Sequence, residues 1–185
     1  MSDNKSKVNI SKSTGHIALL GILGAQALAL SFLENLIPPI LGLPPGAKLG
    51  LSNIVTMFTA STMGFASAIY ITIIKALFVG ATRGATAFFM SLAGGLLSTV
   101  VMSLLLHIKS RPFGILGIAV ASAVAHNFGQ LIVATIISGT AMFLSYAPLL
   151  LFFALIAGCI TGSVLKVLLP VLEKQNQFFK KMDSK

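Results

Sequence analysis

The sequence predicts an all-α integral membrane protein: a bundle of six transmembrane helices with both termini in the cytoplasm. Hydrophobic residues make up 56% of the 185 residues and charged residues only 9%, and the mean hydropathy is +0.96. In a soluble domain, about a quarter of the residues are charged. The apolar residues also come in runs long enough to cross a bilayer, and Lys and Arg concentrate on one predicted side of it.

The six predicted spans are apolar runs bounded by Gly, Pro or charge. The second is short, and only the stretch STMGFAS separates it from the third. Together the runs predict a membrane domain over 16–170, between polar, Lys-rich tails at 1–15 and 171–185 whose composition is typical of partial disorder. The predicted spans are 16–37, 50–63, 64–82, 85–107, 113–139 and 146–170.

The positive charges predict the orientation. With six spans, ten of the 13 Lys and Arg residues fall on the side of the termini and three on the other side. Because cytoplasmic loops carry the excess of Lys and Arg, we expect a multi-pass protein of the bacterial cytoplasmic membrane in contact with anionic lipid. We expect the first run to stay as a span, since it is longer than the roughly 7–15 apolar residues of a cleaved signal peptide.

Acidic residues are too few for unaided catalysis. The chain has four, Asp3, Glu34, Glu173 and Asp183, and three of them lie in the tails. No carboxylate pair is available for acid–base work or for Mg²⁺, and no phosphate-binding G-x-x-x-x-G-K-[ST] motif occurs. The three His residues fall at different predicted depths, and Cys159 is the single cysteine. We therefore expect no enzyme activity, metal or directly bound cofactor, and no nucleic-acid partner.

The fifth predicted span contains four hydrogen-bonding side chains in ASAVAHNFGQLIVA. Ser122, His126 and Gln130 form one helical stripe, with Asn127 about 60° from Gln130. His126 falls near the bilayer midplane, where polar side chains face a bundle interior or a wet cavity. Two interpretations are open: these side chains hydrogen bond neighbouring helices, or they line a ligand cavity.

The segment LPPGAKLGLSN joins the first two spans. Pro44 and Pro45 prevent helix formation, Gly46 allows a turn, and Lys48 stands at the mouth of the second span. Asn53 lies on the first turn of that span. The segment is either an ordinary outer loop whose Lys48 touches lipid phosphates, or a lid over an outward-facing cavity in which Lys48 and Asn53 contact the ligand.

Two further cations belong to the third span. Lys75 lies inside the run IYITIIKALFVG, where a charge costs about 2.5–3.5 kcal/mol, and Arg83 lies at the outer end. Lys75 either snorkels outward or faces the cavity. With Lys48, these residues make the outer half of the protein cationic, and Glu34 is the only opposing charge nearby. A cationic cavity would suit an anionic ligand.

The first span has a smooth face of small residues. Gly21, Ala25 and Ala29 repeat at every fourth position, and such a stripe lets another helix approach closely. It is used either for internal packing or for docking on a separate membrane protein.

Three segments, PPGAKLGLSNIVT, MSLAGGLLSTVVM and AVAHNFGQLIVA, closely resemble the heptaprenyl diphosphate synthase component I family, also called Gx transporter proteins. The resemblance covers residues 16–165. That family is similar to the substrate-binding S subunits of energy-coupling factor transporters. The resemblance implies a six-helix protein that binds a vitamin-like molecule from outside and docks on a transmembrane T subunit with two ATPase subunits.

The resemblance also implies roles for residues already singled out. Gly21, Ala25 and Ala29 would dock on the T subunit, the loop with Pro45, Gly46 and Lys48 would be the lid, and His126, Asn127 and Gln130 would line the pocket. ATP would be hydrolysed by the partner subunits. Prenyl diphosphate synthases use Asp-rich motifs to hold Mg²⁺, and this chain has no Asp between positions 4 and 182.

We therefore predict a substrate-capture subunit of an importer, for a small vitamin-like or quinone- or isoprenoid-precursor molecule. The alternative is a non-catalytic membrane accessory subunit of a prenyl diphosphate or menaquinone biosynthetic enzyme. An autonomous carrier or channel is a third hypothesis, disfavoured by the scarcity of intramembrane acidic residues for ion coupling.

Overall fold

The computed structural model describes residues 3–36, 50, 52–108 and 114–182, and all regular structure within them is helical. The predicted all-α class is therefore confirmed for this part of the chain. The helices are α1 (Asp3–Leu36), α2 (Ser52–Thr62), α3 (Phe65–Arg83), α4 (Ala85–His107), α5 (Gly114–Ser138) and α6 (Ala147–Met182), with a short 3-10 helix, Ala141–Tyr146, before α6.

Five helices are long and apolar enough to cross a membrane, so the chain has the structure of a multi-pass membrane protein. The exception is α2, which has 11 residues. At 1.5 Å per residue it extends about 16 Å, half of a hydrocarbon core of about 30 Å. The second predicted span is therefore not confirmed as a full crossing. Gly50 and Gly64, which flank this helix, both have positive φ.

Helices that follow one another along the chain run antiparallel to each other. His16 of α1 lies 3.4 Å from the Ser67 hydroxyl near the start of α3, and Gly162 of α6 packs on Leu116 near the start of α5. The start of α1 and the later part of α6 therefore lie at the same end of the bundle. We call this the inner end, following the predicted orientation, and the opposite end the outer end; that the inner end faces the cytoplasm stays a prediction.

Both tails are helical where the structure describes them, although their composition predicts partial disorder. The backbone of α1 is helical from Asp3, and that of α6 continues to Met182. Gly15, at the border of the first span, is the one glycine of the two tails, and Pro170 is the last proline of the chain. Lys, Gln, Glu and Met are good helix formers, so each apolar span can propagate its helix into the flanking polar residues.

Glycines bring the helices α3 to α6 into close contact. A Cβ added to Gly94 would lie 2.7 Å from the carbonyl oxygen of His126, and one added to Gly158 would lie 2.5 Å from the Cα of Val120. Helices in membranes associate mainly through such close packing. The helices α3 to α6 thus form a tightly packed scaffold, on which α1 and α2 pack less extensively.

We expect Gly158→Ala to destabilise the protein. The new methyl group would meet the backbone of Val120, which cannot move aside as a flexible side chain would. Such overpacking costs about 1–3 kcal/mol, and the gain in helix propensity returns at most about 1 kcal/mol. Thermal unfolding in detergent should show a lower midpoint. Gly21→Ala is the matched control, because nothing lies within 4 Å of its added Cβ; an equal midpoint for both variants would contradict the packing.

Candidate functional site

A polar cavity lies in the interior between α2, α5 and α6. Its volume is about 10 Å³, which is room for about one water molecule. Its polar lining comes from Asn53, Ser122, His126, Asn127 and Thr161, and its remaining lining from Gly50, Met57, Ala119, Ala123, Ala154 and Ala157.

The site is close to the middle of the membrane domain. Asn53 lies nine residues before the inner end of α2, Lys75 ten residues after the start of α3, and His126 twelve residues after the start of α5. These separations correspond to about 14, 15 and 18 Å along the helix axes. With a hydrocarbon core of about 30 Å, all three residues are near the midplane, where water is scarce.

The polar stripe of α5 faces inward, as its spacing predicts. Ser122, His126, Asn127 and Gln130 are all buried. The Ser122 hydroxyl lies 2.7 Å from the hydroxyl of Ser98 on α4, and the Asn127 amide donates to the Leu150 carbonyl of α6 at 3.0 Å. Interhelical hydrogen bonding is therefore part of what Ser122 and Asn127 do, and both also line the cavity.

His126 and Gln130 lie on either side of Gly94. A Cβ at Gly94 would be 3.2 Å from Cε1 of His126 and 2.8 Å from Cγ of Gln130. Gln130 is 5% exposed, and no described residue hydrogen bonds to its amide. Gln130 is not among the residues that line the polar cavity, so its contact with a ligand stays a prediction.

Lys75 faces the interior and does not snorkel toward the lipid head groups. Its side chain is 3% exposed, and Nζ donates to Oδ1 of Asn53 at 2.8 Å. An ammonium in hydrocarbon requires such partners. Because Asn53 lines the cavity, Lys75 lies one hydrogen bond behind the cavity wall.

Glu34 contacts the start of α2. It is buried, and the Ser52 hydroxyl donates to its Oε2 at 3.3 Å. Arg83 is exposed and does not line the cavity. It lies eight residues beyond Lys75 on α3, about 12 Å farther along the helix axis. Within the described parts of the spans Glu34 opposes Lys75 and Arg83, and the cationic outer half, which also includes Lys48, stays a prediction. The amino terminus of α2 adds a partial positive charge.

The predicted lid residues Pro44, Pro45, Gly46 and Lys48 lie outside the described residues, so the lid and the ligand contact of Lys48 stay predictions.

The small residues of α1 face away from the bundle. Gly21, Ala25 and Ala29 are all exposed, so they are not used for packing within the chain. Gln26, also exposed, places an amide on the same side of the helix near the middle of the Gly15–Glu34 span. Among the described residues this amide has no hydrogen-bonding partner.

Sequence reasoning missed the contribution of α6. Ala154, Ala157 and Thr161 form part of the cavity wall, and their spacing of three and four residues places them on one helical face. That spacing was the available signal, but in an apolar helix it does not distinguish a cavity wall from ordinary packing. Across the described ranges, no three His, Cys, Asp or Glu side chains come together as they would for a metal ion.

Comparison with protein families gives one match. Residues 23–168 match the family described as heptaprenyl diphosphate synthase component I. No curated protein and no solved structure matches the chain.

We expect Asn53→Leu to destabilise the protein by about 1–3 kcal/mol, because it removes a hydrogen bond to a buried ammonium. The double variant Asn53→Leu/Lys75→Met should recover part of this loss, since it removes the charge as well. Chemical unfolding of the single and double variants in detergent measures the coupling. Lys166→Met, at an exposed lysine of α6, is the control for loss of a positive charge. Strictly additive effects of the two substitutions would contradict the pairing.

Proposed function

Because the chain belongs to the heptaprenyl diphosphate synthase component I family and its polar side chains converge on an interior cavity, we propose that it is the substrate-binding subunit of an energy-coupling factor type importer. It would capture a small vitamin-like molecule or a precursor of quinones or isoprenoids. The observation that carries this proposal is the cavity at mid-depth, between a half-length helix and the polar stripe of α5.

The half-length helix supports a binding role. The first N–H groups of a helix have no partner within the helix, and they give its amino terminus a partial positive charge. Because α2 begins at Ser52 near the midplane, this polar end stands beside the cavity rather than in the head-group region. Membrane transporters build substrate sites from broken helices in the same way.

Capture requires the cavity to open. Ligand pockets commonly have volumes of about 300–1,000 Å³, far above the 10 Å³ of the polar cavity. The described side-chain hydrogen bonds between the start of α2 and other helices are Ser52 to Glu34 and Asn53 to Lys75. Displacement of α2 would break these two bonds and leave the glycine contacts among α3 to α6 intact.

The exposed face of α1 supports a membrane partner. Gly21, Ala25 and Ala29 let a second helix approach closely, and Gln26 needs a hydrogen-bonding partner that lipid cannot provide. In an importer this partner is the transmembrane T subunit, and two ATPase subunits bound to it hydrolyse ATP. Transport would thus be driven without any cofactor on this chain.

A second candidate function is a non-catalytic membrane subunit of a prenyl diphosphate or menaquinone biosynthetic enzyme. The family name supports it, since a component I of a synthase implies a partner component. Glu34 is the only acidic residue between positions 4 and 172, so the chain lacks carboxylates to hold Mg²⁺ on a diphosphate. Catalysis would belong to the partner, and this chain would hold it at the membrane.

Substitutions in the cavity should weaken ligand binding. We expect His126→Ala and Asn53→Ala each to lower affinity at least tenfold, since a lost hydrogen bond of about 1.4 kcal/mol changes a dissociation constant by that factor. Mass spectrometry of the molecule that co-purifies identifies the ligand, and equilibrium binding of it compares the variants. Ser138→Ala, at an exposed residue outside the cavity, should bind normally. Normal affinity in both cavity variants would refute the site.

Co-purification separates the two candidate functions. Affinity purification from native membranes should recover a T subunit with its two ATPases, and Gly21→Leu/Ala25→Leu should lose them because larger side chains hold the helices apart. Ala66→Leu/Ala81→Leu, at exposed alanines of α3, is the matched control. Recovery of a soluble prenyltransferase in their place would reject the importer and support the accessory role.

A further inference from the structure

A second, larger cavity is an apolar groove between α5 and α6. Its volume is about 400 Å³, and Asn127 is the one polar side chain among the residues that line it. On α6 the groove runs from Ala147 to Ala154, a distance of about 10 Å along the axis. It therefore occupies the outer half of the bundle and ends near the depth of the polar cavity.

The groove and the polar cavity share a wall. Asn127 and Ala154 line both of them. The Asn127 amide nitrogen is held by the Leu150 carbonyl, while no described residue donates to its Oδ1. The polar cavity and the apolar groove thus adjoin at one amide and one methyl group.

The groove is open on the face of the bundle that is turned to the bilayer. Its walls include Phe128 and Leu151, which are 57% and 48% exposed, and exposed apolar side chains on a spanning helix face lipid. The volume falls within the usual range of ligand pockets, whereas the polar cavity holds about one water molecule. The preformed space at this site is therefore apolar and reached sideways.

We propose that the ligand is a single-chain amphiphile whose polar head, able both to donate and to accept hydrogen bonds, occupies the polar cavity and whose hydrocarbon chain lies in the α5–α6 groove. This inference rests on the proposed function, because it assigns the head to the same cavity. The chain docks in the preformed groove, and the head replaces water at Asn53, His126 and Asn127 when α2 moves away. The ligand thus reaches the site from the hydrocarbon of the membrane.

An ordinary phospholipid does not fit the junction. Its head group stays at the membrane surface, so only its chains would reach Asn127, and a chain offers no hydrogen bond to Oδ1. A molecule with its head at mid-depth satisfies the amide and the polar cavity together and places its chain against Phe128 and Leu151. The shared chemistry is a polar head on one chain, whether the chain is isoprenoid or unbranched.

Fluorescence quenching in nanodiscs tests the groove. The chain has no Trp, so Leu151→Trp introduces one reporter in the groove, and Leu155→Trp introduces a matched one outside it at a residue that is 45% exposed. The probe is dodecyl phosphate brominated near the end of its chain. We expect saturable quenching of Leu151→Trp, at least fivefold stronger than that of Leu155→Trp at equimolar probe. Combining Leu151→Trp with His126→Ala or with Asn53→Ala should raise the half-saturating concentration at least tenfold.

Competition identifies the kind of chain and separates the two proposals. Displacement of the probe by unbrominated farnesyl phosphate or by unbrominated dodecyl phosphate supports the amphiphile, and the stronger competitor shows whether the chain is isoprenoid or unbranched. Equal, unsaturable quenching of both reporters would overturn the amphiphile proposal and would indicate that only bulk lipid occupies the groove. If that result accompanies His126-dependent binding of a chainless molecule, the capture function stands without the groove. If no probe or co-purified molecule shows His126-dependent binding, the capture function fails as well.

Discussion

The close backbone contact of α4 with α5 positions the polar groups of this protein. Lipid chains are as apolar as the side chains that face them, so helices in a membrane gain little by burying apolar surface and associate mainly through close packing. Here Gly94 approaches the carbonyl oxygen of His126, and Gly129 approaches that of Ala93. His126 and Gln130 lie directly against this contact. Any side chain on either glycine would separate the helices and move both polar groups away from α4.

The helices of the bundle are not all packed equally closely. Glycine contacts join α3 to α6, whereas α2 is short and is joined at its start to α1 and α3 through Ser52 and Asn53. Local opening is easiest where a segment has few packing contacts. The half-length helix is thus the element best suited to move, and it is also the element whose polar end faces the cavity. The helices α3 to α6 thus stabilise the bundle, whereas movement of α2 would give access to the cavity.

The two candidate functions make the same demand on the fold. A capture subunit and a membrane subunit of a biosynthetic enzyme both need to hold a molecule without transforming it, and the single acidic residue of the spans, Glu34, suits either. A polar cavity that meets an apolar groove at Asn127 suits molecules with a head and a chain, which are common to quinone and isoprenoid metabolism. The identity of the partner decides between the functions, and the exposed face of α1 is where we expect it to bind.

Hydropathy and helical periodicity alone determined the membrane class, the bounds of α3, α4 and α5 to within a residue or two, and the inward direction of the stripe through His126. These features depend on each segment's own residues, because a helix must bury its polar side and turn its apolar side to lipid. Only the tertiary structure decided that α2 stops at half depth, that Lys75 bonds Asn53 rather than snorkelling, and that Arg83 stays outside. Those outcomes depend on which helices become neighbours, and a local pattern carries no information about its neighbours.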